Sequence, residues 1–335
     1  MKYFVFFVAL LLASPVYADS ALLDGPSLVV AVSPQYPKPG EMVSLTVQSP
    51  VLDLSTRTIW WKNGNTVVSS GEGEATYTFT ASDSGQETDI SVAVEGVSDV
   101  PTVTIIPLTV DLMWESDSYT PGLYQGRHLP SQGSVITLQA LPHIRKAGNE
   151  IPVSQLIFTW IASGKTILSK KGADSITLPV AAFSQASTVQ VSVTTSDKTL
   201  GADRTTTIQT IAPILRLYTE HPLYGTMYHN ALSTQTEISD TEMSFNAIPY
   251  FAAVSGANDK LFSYMWRVNQ AAVDANDTRP NTLTINAGAA GGVAQVDLSL
   301  THKKNFQLDA HGTWNINFGS IAGSITPGSD PFTGK

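Results

Sequence analysis

The sequence predicts an all-β protein made of three tandem β-sandwich modules behind a signal peptide. Two observations carry this. A block of four features recurs three times in the same order, and its strand-like segments alternate apolar and polar residues with period two, which points one set of side chains inward and the other to water. A third, composition, agrees: Thr, Ser, Val and Ala dominate while charged residues are only 14%, a balance that suits half-buried strands more than helices.

In chain order, Met1-Lys2 precedes an apolar run from Tyr3 to Ala13 and then Ser14-Pro15-Val16-Tyr17-Ala18. A basic start, a short apolar core and small residues before a cut describe a secretory signal peptide, 1–18, cleaved after Ala18. The run is shorter than the roughly 20 residues a spanning helix needs, so the expected mature chain is secreted or periplasmic/cell-surface with no integral membrane segment. Residues 19–27 read as a linker.

The repeat starts from Trp60, Trp160 and Trp266. Each opens a Trp-x-x-[Asn/Ser]-[Gly/Gln] stretch, and Thr66-Val67, Thr166-Ile167 and Ala272-Val273 follow at the same offset. Next come Thr76–Phe79, Ser175–Leu178 and Thr282–Ile285, and then the alternating strands Ile90–Val94, Val189–Val193 and Val296–Leu300. Four features at nearly constant offsets indicate copies of one unit, each near the usual domain size. The boundaries read as 28–107, 108–213 and 214–318, with 319–335 a loose polar tail. Before each tryptophan lies another strand, at Val43–Val47, Val135–Leu138 and Met243–Ala247; prolines 142 and 249 are expected to end two of these ladders. Asn63-Gly64 predicts a tight hairpin. The repeat register assigns Trp60 to the core and leaves Trp61 pointing outward, since neighbours in a strand face opposite sides. Neither joint contains a Gly/Ser tether, so a semi-rigid row is expected.

The first copy, through Pro37-Lys38-Pro39-Gly40-Glu41-Met42-Val43-Ser44-Leu45, Trp61-Lys62-Asn63-Gly64 and Tyr77-Thr78-Phe79-Thr80-Ala81-Ser82-Asp83-Ser84-Gly85, resembles bacterial immunoglobulin-like and PKD-like modules. No inter-sheet disulfide is possible, because the chain has no cysteine, and the Trp-Asp-Phe-Gly-Asp-Gly signature of PKD modules is missing. The resemblance implies extracellular spacers or binding units. The absence of cysteine in an exported chain also points to a bacterial source.

Charge excludes some partners. The chain carries a net −9. Residues 28–107 hold 3 basic and 9 acidic side chains, 108–213 hold 8 and 7, and 214–335 hold 7 and 10. An acidic chain without a basic stripe does not fit nucleic acid. The six histidines show no metal-ligand spacing, and no nucleophile elbow, phosphate loop or dinucleotide fingerprint occurs. Glu72-Gly73-Glu74 pairs two carboxylates at what reads as an exposed hairpin tip, where nothing would shift a pKa. The prediction is therefore a non-enzyme without cofactors. Asp274-Ala275-Asn276-Asp277-Thr278 and Ser116-Asp117-Ser118 offer loop oxygens for structural calcium, although Asx turns account for the same residues.

The binding candidates are aromatic: Trp61, Tyr119 and Tyr124 in Tyr119-Thr120-Pro121-Gly122-Leu123-Tyr124, and Tyr224 and Tyr228 in the related His221–Tyr228 segment. Loop tyrosines stack on sugars or anchor protein partners; packing at a domain joint accounts for the same residues, and their recurrence inside a repeat favours it. The expected function is a non-enzymatic extracellular or cell-envelope adhesion or scaffolding protein contacting a protein or glycan at the cell surface. Two alternatives are a carbohydrate-binding protein using the exposed aromatic loops, and a subunit of an envelope assembly, such as a pilus or secretion apparatus, joined by β-strand addition.

Overall fold

A computed structural model of the chain describes residues 28–146, 148–181, 183–288 and 291–319. The expected signal peptide, the linker and residues 320–335 of the tail lie outside the described residues. Among the described residues, all regular structure is strand apart from a 3-10 turn at Val153–Gln155.

The first compact unit runs to Pro107. It holds β1 (Val29–Ser33), β2 (Met42–Gln48), β3 (Thr58–Asn63), β4 (Thr66–Glu72), β5 (Thr76–Thr80), β6 (Thr88–Val94) and β7 (Thr102–Ile105). These form a three-stranded sheet in the order β1-β2-β5 and a four-stranded sheet in the order β4-β3-β6-β7. The inward residues of both faces, among them Val43, Leu45, Val47, Ile59, Trp61, Ile90, Val92 and Val94, make one core. The alternating segments Val43–Val47, Thr76–Phe79 and Ile90–Val94 fall in β2, β5 and β6.

The second unit runs from Leu108 and contains two further sheet pairs. The first comprises β8 (Thr109–Ser116), β9 (Val135–His143), the short hairpin β10 (Arg145–Lys146) and β11 (Asn149–Glu150), β12 (Ile157–Ala162), β13 (Lys165–Lys171), β14 (Ser175–Pro179), β15 (Ala186–Thr194) and β16 (Gly201–Gln209). The other comprises β17 (Ile214–His221), β18 (Gly225–Ala231), β19 (Gln235–Ile238), β20 (Glu242–Tyr250), β21 (Phe262–Val268), β22 (Ala271–Val273), β23 (Thr282–Asn286), β24 (Gly292–His302) and β25 (Ala310–Phe318). The orders β14-β9-β8 and β13-β12-β15-β16 repeat the connectivity of the first pair. So do β17-β20-β23 and β25-β24-β21-β22, with β18 added at one edge and β19 pairing parallel to β25 at the other. The recurring sequence block is thus a recurring topology, but the second and third sheet pairs belong to one compact unit.

Two expectations about local structure are corrected. The prolines do not end their ladders: Pro142 pairs with Val110 and Pro249 with Leu215. At those positions β14 and β23 have already stopped, at Gln139 and Asn246, so a strand with a single neighbour needs no N–H on its far side. The first hairpin turns at Gly64-Asn65, not Asn63-Gly64, because Asn63 still pairs with Thr66.

Candidate functional site

Trp61 does not face outward. It is fully buried, while Trp60 is only partly buried. Its indole N–H donates to Glu74 O at 3.0 Å; Trp160 donates to Ala173 O at 2.8 Å and Trp266 to Pro280 O at 2.9 Å. The equivalent tryptophans are therefore 61, 160 and 266. Counting from Trp61 also brings the turns into line, since Gly64, Ser163 and Asn269 each lie three residues on and each has positive φ. The first module was read one residue out of register, and a one-residue slip exchanges the faces of a strand. A side chain with no exposed surface cannot stack on a ligand, which removes Trp61 from the binding candidates.

The Glu72–Glu74 segment is no hairpin tip. It crosses from β4 in one sheet to β5 in the other, and Glu74 accepts hydrogen bonds at its carbonyl from Trp61 and at Oε1 from Ser69 Oγ (2.7 Å). Gly73 sits at φ +69 with Ser55 O 2.7 Å from where a Cβ would be, so the chain needs glycine to bring Glu74 over the indole.

Tyr119, Tyr124 and Tyr228 converge on the outer face of the β17-β20 sheet. Tyr119 and Ala252 form a reciprocal bridge, with Tyr119 N donating to Ala252 O and Phe251 N donating to Tyr119 O, both at 2.7 Å. Phe251 is held at φ +63 there, an unusual conformation for a bulky residue. The Tyr124 ring packs edge-on to Tyr250 (5.8 Å) and Phe251 (5.5 Å). Tyr228 lies 5.4 Å from Tyr218, whose hydroxyl is 2.7 Å from that of Tyr250. Tyr119, Tyr218, Tyr228 and Tyr250 form a small second core with Ile248 and Ala257, and the Tyr124 ring lies against its Tyr250. Burial raises the pKa of Tyr119, Tyr250 and Tyr264; the Tyr218 hydrogen bond adds to the effect at Tyr250. Three tyrosine candidates are thus packed where the second and third sheet pairs meet.

Tyr224 is different. It sits at the tip of the β17–β18 hairpin with 77% of its surface exposed, beside Leu223 at 84%. The His221 ring stacks on it at 4.6 Å, and His221 Nδ1 accepts from the amides of Leu223 (3.1 Å) and Tyr224 (3.3 Å). The tip is exposed but locally fixed. A groove of about 420 Å³ opens beneath it, lined by Glu220, His221, Pro222, Met227, Asp240 and Glu242 among others. Of its carboxylates, Glu220 is paired to Arg279 at 2.6 Å and Glu242 accepts from Asn286 Nδ2 at 2.6 Å.

Two of the proposed calcium ligands, Asn276 and Asp117, already have protein partners. Asn276 Oδ1 accepts from Thr278 N (2.9 Å), Thr278 Oγ1 (2.7 Å) and Arg279 N (3.0 Å), an Asx-turn arrangement. Asp117 Oδ1 accepts from Val135 N at 2.7 Å. Among the described residues, no three His, Asp or Glu side chains stand close enough to hold a metal. Sequence reasoning missed Phe183 and Phe306, exposed aromatics that carry no repeat signal, and Trp114, over which Arg127 stacks at 4.6 Å.

The thrice-repeated two-sheet topology around a buried, carbonyl-bonded tryptophan decides the fold class. It is immunoglobulin-like. No family model and no curated protein matches the chain. Among solved structures it is similar to the three N-terminal domains of the bacteriophage RB49 Highly Immunogenic Outer Capsid protein, at 13% identity over 88% of this chain and 98% of that one (TM-score 0.26). It is also similar to the fibronectin(III)-like modules of Clostridium thermocellum CbhA, at 14% identity over 54% of this chain and 94% of that one (TM-score 0.28). A third, Sidekick-1 immunoglobulin domains 1–5, shares 12% identity over 88% of this immunoglobulin-like chain and 60% of that one (TM-score 0.21).

Proposed function

We propose that this chain is a non-enzymatic extracellular or envelope scaffold whose β17–β18 hairpin tip docks a protein partner. The observation that carries the reading is the fixed exposure of Leu223 and Tyr224 on the stacked His221 ring. Large apolar groups held in place in the free protein lose little conformational entropy on binding, which is the property of interface anchors. The acidic groove at the base of the hairpin favours a partner that brings a basic side chain beside its apolar contact. The sheet pairs act as the frame that keeps the tip in position.

Co-sedimentation of the full chain with cell envelopes tests this. The expected result is protease-sensitive retention that the Leu223→Ala, Tyr224→Ala double variant weakens by about tenfold or more, as anchor truncations do. Retention equal in the variant and the parent would overturn the reading.

A further inference from the structure

Where the second and third sheet pairs meet, two phenyl rings stand in solvent. Phe183 precedes β15 and is 73% exposed; Phe306 precedes β25 and is 79% exposed. Their centroids are 6.1 Å apart with planes at 56°. Exposed aromatics scattered singly mean little, but a contributed pair from two sheet pairs is a built feature. Phe183 is held at φ +61, a region that bulky residues seldom adopt. Its amide donates to Gln307 Oε1 at 3.1 Å, which ties the ring to the segment carrying Phe306.

Beside Phe183 lies a groove of about 470 Å³, within the range of small-ligand clefts. Its polar lining is made of Gln132, Ser184, Gln185, Thr210 and Gln307, and no charged side chain contributes. The grooves at the β17–β18 hairpin and along β8 both include carboxylates. Gln132 Nε2 donates to Ser184 O at 2.8 Å and Gln307 Oε1 accepts from the Phe183 amide at 3.1 Å, while Gln132 Oε1 and Thr210 Oγ1 are buried behind the lining, without a hydrogen-bond partner among the described residues. An uncharged lining rich in side-chain amides, the exposed Gln185 among them, next to an aromatic platform selects a ligand that is polar, uncharged and has one apolar face. A pyranose meets all three conditions: its C–H face rests on the rings and its hydroxyls exchange hydrogen bonds with amides. An apolar protein side chain would leave those amides unpaired, which is costly. A charged polymer would find no counter-charge in the groove's lining.

We propose that this groove, with Phe183 and Phe306 as its platform, is a binding site for a neutral saccharide chain. It is separate from the β17–β18 hairpin and does not depend on that reading.

Native affinity electrophoresis of the full chain tests it, in gels containing hydroxyethylcellulose, β-mannan or dextran, with the polyanion alginate as the charged control. Retardation by at least one neutral polymer and none by alginate is expected. Phe306→Ala, and Phe183→Gly, which retains the backbone conformation, are each expected to weaken it by at least about tenfold. Leu223→Ala with Tyr224→Ala is expected to leave it unchanged, so that failure of either site is seen alone. The unfolding midpoint of Phe306→Ala reports folding, and an unchanged value is expected for so exposed a ring. The proposal is overturned by mobility that no neutral polymer alters, by equal retardation of the parent and a folded Phe306→Ala variant, or by binding of alginate alone. Envelope retention that needs Phe306 but survives periodate oxidation of glycans and is lost to protease would assign the rings to a protein partner, and would overturn it equally.

Discussion

A single hydrogen bond, from the Trp61 indole to the Glu74 carbonyl, separates two neighbouring tryptophans that composition treats alike. A buried indole needs a partner for its N–H, and the glycine at position 73 brings the chain over the ring to supply one. Truncating Trp61 to alanine removes core volume and leaves that carbonyl unpaired, so Trp61→Ala is expected to cost about 3–5 kcal/mol. Trp60→Ala, on the outer face opposite Ser70 and Ala93, is expected to cost less than about 1.5 kcal/mol. Urea unfolding of both variants checks the register, and equal losses would contradict it. The repeat was legible in sequence because its spacing is nearly constant, but its phase in the first copy was not. Two adjacent tryptophans satisfy the same motif, and only pairing across the sheets chooses between them. Tyr224 and Tyr119 show the same limit: both read as loop tyrosines, and burial alone distinguishes the exposed one from the packed one.

At the scale of elements, the connection from β24 to β25 carries both Phe306 and the Asn305 side chain, whose Nδ2 donates to Gln132 O at 3.1 Å. Its conformation is set by His302, whose Nδ1 accepts from the amides of Lys304 (3.2 Å) and Asn305 (2.9 Å). Burial lowers the His302 pKa; Asp259 opposes this and Lys304 adds to it. Because the folded value lies below the unfolded one, near 6.5, the folded state prefers the neutral ring. The associated stability is complete above about pH 6.5, falls as the pH drops from there, and levels off once the folded group is also protonated. Stability of the parent between pH 7.5 and 5.5 is therefore expected to decline more than that of His302→Gln, as read from urea midpoints. Parallel declines would remove His302 from this role. Periodicity and turn residues found the strands on either side of this connection, yet nothing in Lys303-Lys304-Asn305-Phe306 marks a loop that reaches another sheet pair. Contacts at 124 and 173 residues of separation leave no local pattern.

For the molecule as a whole, no Gly/Ser tether occurs at the joints, and between the second and third sheet pairs the structure shows direct contacts in its place. The reciprocal Tyr119–Ala252 bridge, the Asn305–Gln132 bond and the Phe183–Gln307 bond surround an aromatic cluster drawn from both sides. Such contacts make the two pairs one compact unit, and they couple the unfolding of one to the other. Calorimetry of the parent chain is expected to resolve two transitions, one for residues up to Pro107 and one for the rest. Tyr119→Ala removes a half-buried ring from the cluster at a cost of roughly 1–3 kcal/mol. That is enough to separate the second and third sheet pairs without unfolding either, because each keeps its own core tryptophan. The variant is therefore expected to show three transitions, with the one belonging to the first unit unmoved. Three transitions already present in the parent would mean that the joint orders the aromatic side chains but does not make the unit cooperative. The saccharide groove would then be shaped by contacts that open before either sandwich melts, and saccharide binding would be lost on heating ahead of both unfolding steps.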